Sequence, residues 1–449
     1  MKKTILLVFI IGACLVMGIW LLGFGIGGCA RTLNQEISST TSTTIALPPG
    51  SLDPTFGSSG IATYEGGHAV QHAVSTTIDP SGRILVVGFT DADATLRIWR
   101  FKADGSLDTS FGGGDGIATD SRGSGNAITI DAGGKILVTG GAVGGGKAIW
   151  RFNADGTPDN TFGTDGMVVN NSTSFSGKSI ITSSGKIIMA GEESIVAHGS
   201  LAAIWIYNSN GSLEVFTESP GAGGPLNPTV DEVFSATLDS AGRILLTGST
   251  KLTFAASGNM AIWRFGADGS FDKSAVYTDC DNNTGISIFS DPSGLITVVG
   301  ENRLSSLLSN YYTGPAIWRY NSDLNLIRTF GDNGLVGIGL AVTISGGIRI
   351  DGGSNACFSA LDSSKRILLA GQNINTAVPF YEMVLWRYNF DGTPDNSFGS
   401  NGKVIYRLGA KDTHAGGRVI CLDPSQRIVV AGEDKTDTTD HSLTLWVFE

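Results

Sequence analysis

The chain has 449 residues, of which 16% are charged and 41% hydrophobic, with a formal net charge of −11. That composition suits a large buried core, and the acidic balance excludes a general nucleic-acid role, which needs a basic patch. The five cysteines (Cys14, Cys29, Cys280, Cys357, Cys421) form no CxxC pair, so neither a disulfide framework nor a zinc site is indicated.

Met1-Lys2-Lys3 is a basic start, and residues 4–28 follow without a charge. A positive start, an apolar stretch and small residues before a cleavage point are the parts of a secretory signal. The uncharged run of 25 residues is also long enough to span a bilayer uncleaved. Ile26-Gly27-Gly28-Cys29 resembles the bacterial lipobox, in which the cysteine is lipidated and becomes the mature N-terminus. Ile11-Gly12-Ala13-Cys14 is a second match with a very short apolar run. The resemblance implies lipidation of Cys29, and Ala30 after it implies the outer membrane in a Gram-negative cell. Residues 1–28 therefore read as a signal peptide or membrane anchor, with plain secretion as the remaining option. Residues 29–49 carry a Ser/Thr run and then Pro48-Pro49. That composition cannot bury a core and reads as a flexible tether. The expected location is the bacterial cell envelope, membrane-anchored through a lipid or an N-terminal helix, with the domain outside the cytoplasm.

Residues 50–449 form one repetitive domain. Seven of the eight tryptophans, Trp99, Trp150, Trp205, Trp263, Trp318, Trp386 and Trp446, sit in the same short apolar-Trp strand, spaced 51 to 68 residues apart. A period of that size marks a propeller or solenoid. Within one repeat the elements follow in order. Residues 73–78 are small and β-branched, Asp79-Pro80-Ser81-Gly82 is a tight turn, and residues 83–88 are a nearly continuous apolar strand. The Trp99 strand comes next, then a hairpin signal at Ala103-Asp104-Gly105 and a return over 107–119. The second strand recurs at 83, 135, 186, 243, 295, 366 and 427, giving the repeat a second marker. With 63 glycines, about twice the usual share of roughly 7%, the turns are well supplied. The expected fold is an all-β, seven-bladed β-propeller of four-stranded antiparallel blades. The domain begins at the end of a repeat and stops after a Trp strand. The N-terminal strand at about 60–64 is therefore expected to pair with the C-terminal strand at about 443–448.

The Leu-Asp-Pro-Thr-Phe-Gly element at 52–57 recurs at 107–112, 158–163 and 394–399, each a half-repeat from a Gly-Arg/Lys-Ile-Leu-like strand. These elements resemble the bacterial delta-60 repeat, over essentially residues 50–449. The element blurs around 214–228 and 274–283. The resemblance implies an exported β-propeller of unknown function and supplies no catalytic residues.

The repeats carry Arg100, Arg151, Arg264, Arg319 and Arg387 after the tryptophans, and Asp79, Asp131, Asp239, Asp291, Asp362 and Asp423 before the second strands. The third repeat has Thr182 and Ile206 instead, and the seventh keeps Asp423 but has Val447. Charges inside a sheet stack must be paired, so a structural contact between these two sets is expected. A ring of arginines reading an anionic ligand is the alternative. The Asp-Gly turns lack EF-hand spacing and read as ordinary turns.

In such blades the first–second and third–fourth strand turns share one face, and these are tight. The other connections, at 192–202, 249–259, 301–314, 372–381 and 433–442, read as long, unequal loops. All five histidines fall in this second set. Four of them, His68, His72, His414 and His441, belong where the first and last repeats should meet. Tyr311, Tyr312, Phe380 and Tyr381 on the same face offer an aromatic surface. No nucleophile elbow, phosphate loop or HExxH pattern is present, so no catalytic residue, metal site or cofactor is assigned. The expected function is a non-enzymatic binding or scaffolding propeller. It is expected to be monomeric and to meet an envelope protein or glycan through the elaborated face. A lyase or hydrolase with its site on that face near the central channel is the alternative. A purely structural surface or adhesion protein is the third.

Overall fold

The computed structural model describes residues 47–66, 71–90, 93–171, 177–195, 199–221, 229–251, 258–279, 283–304, 312–337, 348–349, 359–375, 380–406, 414–435 and 441–449. The expected signal, Cys29 and most of the tether lie outside them. No helix among the described residues is long and apolar enough to cross a membrane. The compact unit runs from Pro48 to Glu449.

Most repeats form four antiparallel strands in chain order. The first is Gln71–Ile78, Ile84–Thr90, Asp93–Phe101 and Ile117–Asp120, and the second is Gly123–Ile130, Ile136–Ala142, Lys147–Phe152 and Met167–Asn170. The chain is an all-β propeller of four-stranded antiparallel blades. The hydrogen bonding does not draw seven separate four-stranded sheets, however. The described residues form six: four of four strands, one of five and one of eight. The eight-stranded sheet arises where Gly199 and Ser200 pair in parallel with Thr229 and Val230, fusing two runs of four strands. The five-stranded one has a divided inner strand, with Ile348–Arg349 and Ser359–Leu361 both pairing with Ile367–Asn375.

The apolar second strands face neighbours on both sides, as a continuous apolar run requires. The core consequently lies between sheets. Val87, Leu96 and Ile98 of the first repeat pack with Val138 and Trp150 of the second. The cluster joining the two ends contains Val86 and Trp99 with Val429 and Leu445. All seven repeat tryptophans are buried.

The ends meet as expected, with Ile61, Ala62, Thr63 and Tyr64 facing Trp446, Leu445, Thr444 and Leu443 in antiparallel register. The closure includes more than that strand. In the first repeat the hairpin turn is held by Lys102 N–H to Ser106 O and Gly105 N–H to Lys102 O. At the seam, Glu449 N–H donates to Ser51 O and Gly50 N–H to Glu449 O, at 2.9 and 2.7 Å. Pro48 to Ser51 thus rebuilds across a chain break the turn that the last repeat lacks.

Among the described residues five inner strands carry a β-bulge, at Ala73/Ser75, Gly125/Ala127, Val233/Ser235, Gly285/Ser287 and Gly417/Val419. Opposite each stands a glycine, and the reason is steric. A Cβ at Gly300 would lie 1.9 Å from Thr284 O, and one at Gly432 would lie 1.8 Å from Gly416 O. Backbone cannot yield as a side-chain tip can. Gly300→Ala is expected to cost about 3 kcal/mol through overpacking and ladder disruption. Chemical denaturation checks this, and a change under about 0.5 kcal/mol would contradict it.

Two loop expectations need correction. The stretches 192–202 and 301–314 are largely hairpin arms, not loops. Glu192 to Ile195 pairs residue by residue with Ala202 to Gly199, and Leu304 with Tyr312. Continued pairing satisfies backbone groups that a long loop would leave to solvent. Similarly, Asn375 pairs with Phe380 and Lys435 with His441.

Candidate functional site

Four of the five repeated arginines pair with acids, though not the expected ones, while Arg319 has Ile327 in that register and lies over the Phe330 and Phe390 rings. Arg100 Nε lies 2.9 Å from Asp108 Oδ2, Arg151 Nε 2.9 Å from Asp159 Oδ2, and Arg387 Nε 2.8 Å from Asp395 Oδ2. The partner is the acid of the Leu-Asp-x-x-Phe-Gly element, which folds back beside the Trp strand. Each guanidinium also covers the phenyl ring of that element, at 4.3 Å for Phe111 and 4.6 Å for Phe162. Its Nη1 reaches a carbonyl in the next repeat, with Ala154 O serving Arg100 and Ser209 O serving Arg151. The seventh repeat, with Val447, uses Arg427 instead, which donates to Asp53 at 2.6 Å and to Ala103 O at 3.3 Å. Asp79 and its equivalents fold their own turns. Asp79 Oδ1 accepts from Ser81 and Arg83 N–H, and Oδ2 from Arg83 Nε. In the third repeat Ser183, not Thr182, occupies the register, because Thr182 pairs with Ile187 as Ile78 does with Ile84. The Asp-Gly turns are likewise self-contained: Asp104 Oδ1 accepts from Ser106 N–H and Oγ–H.

Six of the eight expected binding residues are among the described ones and lie on strands. His72 lies on the first inner strand and its Nδ1 is 2.7 Å from Glu433 Oε1 of the last repeat. The bulged Arg418 lies on the same carboxylate, Nε to Oε1 at 2.9 Å and Nη2 to Oε2 at 3.2 Å. The His72 ring packs 4.8 Å from Phe89. His414, Lys435 and His441 occupy one backbone rung of the neighbouring sheet, which brings three of the four seam histidines to adjoining sheet ends. Tyr312, Phe380 and Tyr381 begin third strands at the same end of their own sheets. His68 and Tyr311 lie outside the described residues. Among those described, no three His, Cys, Asp or Glu side chains converge as a metal site.

Among the buried acids that sequence reading missed are Glu192 and Asp231. Glu192 is 4% exposed, and its Oε1 accepts from Val233 N–H of the next inner strand at 2.7 Å. Burial, reinforced by Glu232, pushes its carboxyl up to about 7 despite Lys178 and the Val233 bond. Asp231 is also raised by burial, although it accepts from Thr250, Ala202 N–H and Ser219. The available signal was the Gly-Glu pair at the end of the second strand, at 191–192, 300–301 and 432–433. Glu192 and Glu433 both use that position to hold the next repeat's inner strand. Chemically, the described residues supply a buried neutral-range carboxyl and a clasped carboxylate–imidazole–guanidinium group.

The fold and repeats define a β-propeller repeat protein. Residues 80–111, 134–162 and 242–274 match the family described as "Domain of unknown function (DUF5122) beta-propeller", a repeat family whose function is unknown. No curated protein matches the chain. Solved structures similar to it include the β-propeller domain of the Trilobed protease from Pyrococcus furiosus, at 10% identity and TM-score 0.44, covering 85% of this chain and 96% of that one. A polysaccharide lyase of family PL25, an ulvan lyase, is similar at 12% identity and TM-score 0.48, covering 90% and 95%. The endo-arabinase from Bacteroides thetaiotaomicron is similar at 9% identity and TM-score 0.34, covering 86% and 97%. At these values none of the three bears on activity.

Proposed function

We propose that this chain is an exported, lipid-anchored β-propeller of seven delta-60-like blades. It acts as a monomeric, non-enzymatic binding or scaffolding module of the bacterial cell envelope. The eight-stranded sheet counts as two blades in this reading, because its two halves meet through only two parallel pairs and share a core between them. The observation that carries the functional reading is the asymmetry of the two faces. One is finished by turns whose acids are consumed by their own backbone. The other carries unequal hairpin arms with His72, His414, His441, Tyr312, Phe380 and Tyr381 at their ends. Such variable elements on a rigid scaffold are where ligands are met.

Glu192 favours a second reading, an enzyme on the same face, since a neutral-range buried carboxyl is a frequent general acid or base. Its bond to a backbone amide serves blade packing equally well.

The Pro48–Glu449 unit is expected to co-sediment with purified envelope fragments. Joint replacement of Tyr312, Phe380, Tyr381, His72, His414 and His441 by alanine is expected to weaken this about tenfold or more, whereas Lys102→Glu on the other face leaves it unchanged. Equal binding by the variant, or no sedimentation, overturns the reading. Palmitate labelling is expected in the full chain and lost in Cys29→Ser. Label retained by that variant, or absent from the parent, removes the lipid anchor.

A further inference from the structure

The acid closing each inner strand follows one rule, with one exception. Its Oδ1 accepts two backbone N–H groups of its own turn, and its Oδ2 takes a cation from the chain. Arg83, Arg243, Arg366 and Arg427 supply Nε to Asp79, Asp239, Asp362 and Asp423 at 2.5 to 2.6 Å. Asp291, followed by Leu295, receives Lys365 Nζ from the next repeat at 3.0 Å. Asp131 keeps the Oδ1 bonds to Gly133 and Lys135 N–H, but no described cationic side chain lies on its Oδ2.

The reason is the residue four positions on. An arginine fork spans two carboxylates: Arg427 reaches Asp423 and Asp53, and Arg366 reaches Asp362 and, at 3.4 Å, Asp395. An ammonium is a point charge and must choose. Lys135 Nζ chooses Asp159, at 3.1 Å, and Asn153 Oδ1, at 2.6 Å. The next repeat brings no substitute, because its turn is shortened. Ser183 pairs directly with Lys186, which leaves no residue where Lys365 stands. A cavity of about 250 Å³ opens there, lined by Asp131, Gly133, Ser183, Ser184, Lys186 and Arg151 among others. The two basic side chains on its wall are already engaged, Arg151 with Asp159 and Lys186 with Glu214 and Asn208.

We infer that this cavity is a binding site for a cationic side-chain group, a guanidinium or primary ammonium as carried by an arginyl or lysyl residue of a peptide. Asp131 is its counter-charge. The incoming group takes the place that the chain's own cation fills over the other five acids. The site lies on the turn face, apart from the arms assigned to the proposed function.

Isothermal titration of the Pro48–Glu449 unit at low ionic strength with N-acetyl-arginine amide tests this. N-acetyl-lysine amide and the uncharged N-acetyl-citrulline amide are the comparisons. Saturable binding of the arginine probe is expected, at least about tenfold tighter than citrulline. Asp131→Asn keeps the turn bonds and is expected to lose about tenfold. Lys135→Arg retains the charge but restores the fork over Asp131, and is expected to lose binding to a similar extent. Equal binding of the lysine probe supports a site for any such cation, and weaker binding supports one for guanidinium. Absence of saturation up to about 10 mM, equal binding of citrulline, or unchanged binding by both variants overturns the inference.

Discussion

A chain that begins at residue 65 is expected to lose about 5 kcal/mol or more of stability and its single cooperative transition. The missing segment supplies the outer strand Ile61–Tyr64, the rebuilt turn at Pro48 to Ser51 and the Phe56 ring, which is fully buried. It also removes Asp53, the 2.6 Å partner of Arg427, and leaves that guanidinium half-paired at a buried junction. Truncating a buried phenylalanine alone costs about 3–5 kcal/mol, and a whole domain is stable by only about 5–15 kcal/mol. Phe56→Ala is the milder variant and is expected to lower the denaturation midpoint while preserving one transition. A peptide of residues 48–64 added in trans is expected to restore much of the loss. If the truncated chain melted within about 2 °C of the parent, the seam would contribute little and the closure argument would fail.

Stability is also expected to fall by about 3 kcal/mol between pH 4.5 and pH 7 on account of Glu192 alone. The sign follows from linkage. The folded-state carboxyl titrates near 7 and the unfolded one near 4.5, so within that window the folded chain holds a proton that the unfolded chain has released. The contribution is complete below the unfolded value and gone above the folded one. Glu192→Gln keeps a carbonyl for the Val233 N–H and cannot ionise, so it is expected to flatten the slope and to exceed the parent in stability at pH 8. The paired acids act in the opposite sense. Burial raises Asp159, but the bonds from Thr161, Lys135 and Arg151 outweigh it and hold its carboxyl below the usual range. Asp108 and Asp395 behave alike. Their contribution is present above the ordinary aspartate range and is lost as acid is added. Denaturation midpoints from pH 3 to 8 should thus peak on the acid side of neutrality. A parent profile flat from pH 5 to 8 would remove Glu192 from this role.

How much of this the sequence carried depends on how local each interaction is. The Trp strand, the apolar second strand and the Asp-Gly turn are contiguous patterns, and they specify the blade and its antiparallel order. The partnership of Ile61–Tyr64 with 443–448 was legible because the repeat pattern leaves a spare strand before the first repeat and lacks one in the last. The acid that meets Arg100 was not legible, because Asp79 and Asp108 both belong to elements that recur in the repeats and recurrence alone does not say which lies beside the arginine. Only the fold-back of the Phe-Gly element decides for Asp108. The parallel contact of Gly199 and Ser200 with the next inner strand is a tertiary accident of one junction, so the sheet count could not be read. The arms were mistaken for loops because their apolar content falls where pairing continues. Asp231 left no recurring trace, and the Gly-Glu pair that marks Glu192 recurs in only some of the repeats.

The break in the rebuilt turn has a topological meaning. Gly50 N–H donates across 2.7 Å to the carbonyl of Glu449, as Gly105 N–H does to Lys102 O within the continuous turn of the first repeat. Fold and chain order are therefore separable in this molecule. Joining 449 to 48 and reopening the chain at Asp268-Gly269, an exposed turn of the same kind, should yield a circular permutant with the same sheets and a seam moved to another blade. Which blade carries the seam would then be a matter of where synthesis starts, not of what the ring requires.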